Sequence, residues 1–361
     1  MSLSKKPVDI EDVLEVVDKT VLRPFIAISI SLAVWVLGYS WTSRLFQGTL
    51  IYTTLVVLYS LIPHLISIAL SPHPRKYLFS PPKIDWSEQI VLVTGAAGEI
   101  GFTLVQALST KGARVIALDI KPESDWVFTG DETGSGQSVF YYRCDISKKE
   151  EVDSVAERIW KDLGDPTIVV NNAGIVQGKK ILDLTEQDIK ETVGVNYVSH
   201  FWIVKAFLPA MLKTKRGHIL TVASVLGLIG CARLTDYCST KAAIIQFHEA
   251  LRFELNTQYD APEIYTTLLL PSFVHGPLFA SVTMSNNPFI KFFSPALEAR
   301  DIVQRMIDRL GVEQSGVIMM PSYVRIVPFM RWIPGLREIC QNLSEADHAM
   351  DKFVRPGKKA D

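Results

Sequence analysis

The chain has 361 residues, a formal net charge of −1 and 48% hydrophobic residues. A near-neutral balance without a basic block excludes the electrostatic footprint of a nucleic-acid-binding protein, and the length suits one or two domains with a sizeable core. Cys144, Cys231, Cys238 and Cys340 lack C-x-x-C spacing, so the sequence predicts reduced thiols, with neither a disulfide framework nor a metal site.

Two uncharged apolar runs, residues 25–41 and 49–70, come first. As helices they would be about 25 and 33 Å long, near the roughly 30 Å hydrocarbon thickness of a bilayer. The first follows an acidic segment (Asp9, Glu11, Asp12, Glu15, Asp18) and has no small-residue cleavage site, unlike a signal peptide. Both runs are apolar on all faces, as lipid-facing helices are. A pair of spans and a hairpin dipping into one leaflet both fit, and both return the chain to the side it left. Lys19, Arg23, Arg75, Lys76 and Lys83 flank the pair, which places the remainder in the cytosol. Residues 1–82 are thus expected to be a membrane anchor, ending in a stiff Pro-rich linker over 71–82.

A βαβ unit follows. Ile90–Thr94 reads as a strand, residues 95–101 (Gly-Ala-Ala-Gly-Glu-Ile-Gly) as a glycine-rich turn opening a helix, and 114–118 as a second strand ending in Asp119. Glycines let the backbone approach a pyrophosphate, and the helix N-terminus offers free N–H groups. Asp119 stands where an acid hydrogen-bonds ribose hydroxyls and repels a 2′-phosphate, which favours NAD over NADP, with NADP still open.

These motifs resemble the short-chain dehydrogenase/reductase family over roughly residues 89–321. Thr94, Gly95 and Gly101 match its T-G-x-x-x-G-x-G turn, with Glu99 in place of the middle glycine; Asn171-Asn172-Ala173-Gly174 match its N-N-A-G motif. The resemblance implies a doubly wound α/β Rossmann fold over residues 83–322, with a parallel sheet. It implies cofactor contacts from Thr94, Gly95, Ile100, Gly101, Asp119, Asp145, Ile146, Asn172, Ala173 and Gly174. It adds Tyr237 and Lys241, the lysine on the nicotinamide ribose hydroxyls, and Pro271 and Val274, although residues 271–276 depart from the family's P-G-x-x-x-T, with Ser272 and Gly276 in place of Gly and Thr. The helix normally found between Asp119 and Val139 is expected to be short, because residues 130–136 are loop-like.

The chemistry rests on four side chains. Tyr237 and Lys241 are spaced i, i+4, on one helix face, and a Lys⁺ beside a phenol favours the phenolate. Ser224 ends a strand over 218–224 and can hydrogen-bond a carbonyl or alkoxide. By resemblance Asn196, on a helix capped by Thr185 and Asp188, is the fourth member and orders water toward the lysine. The reaction expected is hydride transfer between a nicotinamide and a carbinol or carbonyl carbon, with Tyr237 as acid and base. His200 and His248 are read as core or surface histidines and not as metal ligands.

Residues 278–293 carry Phe279, Val282, Met284, Phe289, Ile290, Phe292 and Phe293, an apolar lid suited to a lipophilic substrate. Ser294-Pro295 reads as the start of a helix to Leu310, and Gly316–Met320 as the last strand. The tail, 323–361, begins with basic and aromatic residues interleaved over 323–336, suited to a membrane interface or to core or homodimer packing. The whole resembles the membrane-bound retinol and 17β-hydroxysteroid dehydrogenases, which implies an NAD-linked lipophilic alcohol dehydrogenase on the endoplasmic reticulum or lipid droplet, facing the cytosol. An NADPH-linked lipid ketone reductase of the 3-ketosphinganine type, and a lipid-surface scaffold with a decayed cofactor site, are the alternatives.

Overall fold

The computed structural model describes residues 9–69, 83–126, 138–282, 287–344, 348–351, 353 and 355. The chain divides into two units, Met1–Pro82 with Lys291–Pro295, and Lys83–Ile290 with Ala296–Asp361.

In the first unit, α1 (Ile10–Lys19) opens with a capping box between Asp9 and Asp12. It is followed by α2 (Pro24–Val36) and α3 (Arg44–Ala69). The first apolar run is therefore shorter than its composition predicts: the helix ends at Val36, because Gly38 adopts φ +86° and turns the chain. At about 1.5 Å per residue α2 reaches only about 20 Å, whereas α3 reaches about 39 Å. The second helix also begins earlier than expected, with Arg44 in its first turn. Among the described residues, Arg44–Ile62 is the stretch long and apolar enough to cross a membrane by itself, and α1 and α2 form a pair bent by 58°. The two apolar helices are joined by polar contacts: Thr53 Oγ1 donates to the Ala27 carbonyl at 2.9 Å and lies 2.8 Å from Ser31 Oγ. Their outer faces, including Phe25, Leu32, Trp35, Ile51, Leu55 and Leu58, are exposed. The linker at 71–82 lies outside the described residues.

The second unit is a seven-stranded parallel sheet in the order β3-β2-β1-β4-β5-β6-β7. Its strands are β1 (Ile90–Thr94), β2 (Arg114–Asp119), β3 (Val139–Arg143), β4 (Ile168–Asn171), β5 (Gly217–Val222), β6 (Ile264–Pro271) and β7 (Gly316–Met320). Continuous runs of β-branched and aliphatic residues build it because helices cover both faces. Along β1 alternate side chains enter different cores. Val91 and Val93 pack with Leu104 and Leu108 of α4 (Glu99–Thr110) and Ile302 and Met306 of α10 (Ala299–Leu310). Leu92 packs with Ile159 of α5 (Lys149–Asp162), Phe207 of α7 (Ser199–Thr214) and Leu251 of α8 (Thr235–Thr257). Each such side chain contributes about 1.5–3 kcal/mol on burial. The doubly wound α/β architecture is as the sequence implies.

One local expectation in this unit needs correction. Helix α10 begins at Ala299, not at 294–295, because Leu297 is drawn into a bridge beyond β6, donating to the Phe273 carbonyl at 2.9 Å and accepting from the His275 amide at 2.8 Å. Between β2 and β3 the described residues hold one short helical turn, Glu123–Asp125; the loop-like segment 130–136 lies outside them. After β7 the chain forms two short turns, Ser322–Arg325 and Val327–Arg331, before α11 (Leu336–Ser344). There Val324 and Val327 are buried against Leu268 and Leu270, while Ile326, Phe329 and Trp332 face outward.

Candidate active site

The site lies where the C-terminal ends of β1, β4, β5 and β6 meet, the usual ligand crevice of an open α/β sheet. After β1 the turn requires glycine twice. Gly95 adopts φ +66° and a Cβ there would lie 2.7 Å from Ala173 Cα; a Cβ on Gly101 would lie 2.2 Å from the Gly95 carbonyl. The turn is fastened on both sides. Thr94 Oγ1 accepts from the amides of Asn172 (3.0 Å) and Ala173 (3.1 Å), and Asn172 Nδ2 donates to the Thr94 carbonyl at 3.0 Å. Asp119 Oδ2 accepts from the Ala97 amide at 2.8 Å and Oδ1 from the Lys121 amide at 3.1 Å. Asp119 thus shapes the turn as well as standing beside it.

Helix α4 starts at Glu99 behind Gly98, which supplies no side-chain cap. Its first-turn amides have no partner within the helix, so with Ile100 and Gly101 they form an anion cradle of the kind that holds a diphosphate. The close backbone approach enforced by Gly95 and the acid at the end of β2 complete a donor set that fits a nicotinamide dinucleotide. Asp145 accepts from the amide (3.1 Å) and hydroxyl (2.7 Å) of Ser147 and turns the chain after β3, with Ile146 buried beside it. Pro271 ends β6, and Val274 is buried and bridged to Leu297.

The four side chains singled out by the sequence converge. Tyr237 and Lys241 occupy successive turns of α8, both buried, with Lys241 Nζ 5.5 Å from the Tyr237 ring centroid. Ser224, just beyond β5, is hydrogen-bonded to Tyr237 through its side chain and accepts from the Leu226 amide at 3.1 Å. Lys241 Nζ donates to the Val222 carbonyl at 3.0 Å. Asn196 is fully buried in the π-helical segment Gly194–Val198 that joins α6 (Glu186–Val193) to α7; such bulges recur at functional sites. Thr185 and Asp188 form the capping box expected at the start of α6.

The electrostatics depart from the sequence expectation. Burial pushes the Tyr237 phenol above its ordinary range, opposed by the Ser224 hydrogen bond. Burial also pulls Lys241 down to about 8. Desolvation therefore outweighs the attraction expected between an ammonium and a phenolate one turn apart, because both groups are withdrawn from water. His200 and His248 are core residues; His200 is pulled down to about 3 by burial and the neighbouring Lys241, so it is neutral.

The wall beside the phenol is apolar. Tyr237 packs with Val176, Leu234, Met350 and Phe353, and Leu278, Phe279 and Val282 lie against them. Phe279 meets the Tyr237 ring edge-on at 6.5 Å. Of the expected lid, Met284 lies outside the described residues. The contribution of Met350 and Phe353 is unanticipated by the sequence reading. Arg355 holds that end of the chain by donating to Gln177 (2.7 Å) and Glu191 (2.8 Å), and Arg233 donates to the Met350 carbonyl at 3.3 Å. Isolated apolar residues in the charged segment 345–355 were the available signal.

Residues 89–286 match the family model described as short chain dehydrogenase. Human retinol dehydrogenase 10 is 32% identical over 312 residues, covering 79% of this chain and 90% of that protein. Human epidermal retinol dehydrogenase 2 is 33% identical over 309 residues, covering 84% and 94%. Among solved structures, a short chain dehydrogenase/reductase from Burkholderia phymatum in complex with NAD aligns with a TM-score of 0.59 at 21% identity, over 69% of this chain and 95% of that one. An alcohol dehydrogenase from Thermococcus sibiricus complexed with 5-hydroxy-NADP gives 0.55 at 24% identity, over 64% and 95%. The chain belongs to the short-chain dehydrogenase family, as an oxidoreductase that uses a nicotinamide cofactor to act on alcohols.

Proposed function

We propose that this protein is a membrane-anchored, NAD-linked dehydrogenase of a lipophilic alcohol of the retinoid type. The observation that carries the substrate class is the apolar wall around Tyr237, in which Val176, Leu234, Phe279, Met350 and Phe353 leave Ser224 and the phenol as the polar groups beside the reacting oxygen. Such a surface gains about 25 cal/mol per Å² of apolar substrate it covers, and two retinol dehydrogenases are among the relatives.

When bound, a nicotinamide would supply or accept the hydride. Thr94, Gly95, Ile100, Gly101, Asp119, Asp145, Ile146, Asn172, Ala173, Gly174, Pro271 and Val274 hold the cofactor, and Asp119 selects NAD by repelling a 2′-phosphate. Ser224 hydrogen-bonds the substrate oxygen. Tyr237 takes the hydroxyl proton in oxidation and returns it in reduction. Lys241 keeps positive charge beside the phenol, and Asn196 fixes the backbone in front of the lysine. The exposed apolar faces of α2 and α3 support membrane anchoring, with α3 as the spanning element. The basic flanks support a cytosolic catalytic unit at the endoplasmic reticulum or lipid droplet. The outward Phe329 and Trp332 suit the same lipid surface, with a homodimer contact as their other use.

The test is full-length protein in nanodiscs with all-trans-retinol and NAD⁺ or NADP⁺, following retinal formation. NAD-dependent retinal formation is expected. Failure to oxidise retinol with either cofactor, together with NADPH-driven reduction of a long-chain ketone, would overturn the reading.

A further inference from the structure

Two of the three positions at which the sequence departs from its family's cofactor motifs, Glu99 and Gly276, are in contact with each other. An ideal Cβ on Gly276 would fall 1.7 Å from Glu99 Oε2 and 2.9 Å from its Cδ. Glu99 is the first residue of α4, and Gly276 lies in the loop after β6, so the carboxylate reaches from the anion cradle to the opposite lip of the crevice. The lip is held in place, since the His275 amide and the Phe273 carbonyl are both bonded to Leu297. No side chain fits at position 276 while Glu99 keeps this position.

We propose that Glu99 acts as an internal anion at the diphosphate position, and that Gly276 is the space that admits it, so the pair sets the affinity for the cofactor. A carboxylate at a helix N-terminus is stabilised by the free amides and the helix dipole, the same features that attract a diphosphate. The two anions compete for one field, and cofactor binding displaces the carboxylate. Partial desolvation and the like charge of Glu298, at the start of α10, raise the pKa of Glu99, and His275 opposes them.

The inference rests on the cofactor site proposed above, and the test separates the two. NADH affinity is measured by fluorescence without substrate for wild type, Glu99→Gln, Glu99→Gly, Gly276→Ala and Glu99→Gly/Gly276→Ala. In parallel, inorganic pyrophosphate is tested as a probe through the thermal stabilisation it gives the cofactor-free protein. Removing one like charge at close range is worth on the order of tenfold in affinity, so Glu99→Gln is expected to bind both NADH and pyrophosphate about tenfold more tightly. Gly276→Ala forces the flexible carboxylate aside, so it is expected to change affinity when Glu99 is present and to leave it unchanged in the Glu99→Gly background. Equal or weaker binding by Glu99→Gln, or the same Gly276→Ala effect in both backgrounds, overturns the proposal while leaving the dehydrogenase reading intact. Tighter pyrophosphate binding by Glu99→Gln with no NADH binding by any variant supports the internal anion and removes the dehydrogenase reading instead.

Discussion

Asn196 grips the backbone of Ile175 from both sides, its Oδ1 accepting from the Ile175 amide at 2.8 Å and its Nδ2 donating to the Ile175 carbonyl at 2.9 Å. This pairing ties the π-helical segment to the N-N-A-G strand end, and Gly174 between them lies against Lys241: a Cβ there would sit 3.6 Å from Asn196 Oδ1 and from Lys241 Nζ. Asn196→Ala leaves two part-buried backbone groups of Ile175 without this partner. The expected loss is about 1–3 kcal/mol in urea unfolding, with a fall in kcat larger than the rise in KM. Unchanged stability would show that the grip on Ile175 is not maintained in solution.

The burial of Lys241 has a pH signature. Its pKa is about 8 in the fold and about 10.4 in an unfolded chain. Below about pH 8 both states carry the proton and this group gives stability no slope. Between about pH 8 and 9.5 the unfolded chain still holds the proton while the folded chain has released it, so stability rises with pH. Urea midpoints from pH 7 to 9.5 should rise for the wild type, and Lys241→Met should lack that component. Parallel curves would contradict the buried assignment.

Asp119 serves two purposes that one substitution separates. Asp119→Asn removes the charge while keeping one acceptor for the Ala97 and Lys121 amides. The ratio of kcat/KM for NADP⁺ over NAD⁺ is expected to rise roughly tenfold, with a stability loss of about 1 kcal/mol. A shift toward NADP⁺ of less than twofold would remove Asp119 as the selector.

Helix α3 carries the membrane prediction. Leu55 and Leu58 are exposed on it, and an Arg at the centre of a span costs about 2.5–3.5 kcal/mol. Leu55→Arg/Leu58→Arg should release full-length protein from microsomes on alkaline carbonate extraction, whereas the wild type stays in the pellet. Equal retention of both would place the anchoring elsewhere.

Much of the cofactor half was legible because its requirements are local. Gly95 is needed for a positive φ and for contact with Ala173, and the strand-turn-helix pattern around it follows from side-chain type alone. The sequence could not reveal that Glu99 and Gly276 touch, because they lie in separate elements brought together only when α4 and the loop after β6 settle over one face. The C-terminal wall at Met350 and Phe353 is hidden for the same reason. The direction of the Tyr237 shift was misjudged because spacing reports the neighbour but not the burial. The early end of α2 and the late start of α10 were missed because a glycine turn and a tertiary bridge overrode the apolar and capping patterns.

The proposed function turns on Tyr237, hydrogen-bonded to Ser224 and beneath an apolar wall, as the group that exchanges the proton of a lipophilic alcohol. Tyr237→Phe removes one oxygen from a buried ring and is tested in nanodiscs by NADH binding and by retinol turnover with NAD⁺. NADH affinity within about twofold of the wild type and kcat lower by roughly 10²–10⁴ are expected. Turnover that survives the substitution with normal cofactor binding would contradict the proposed function.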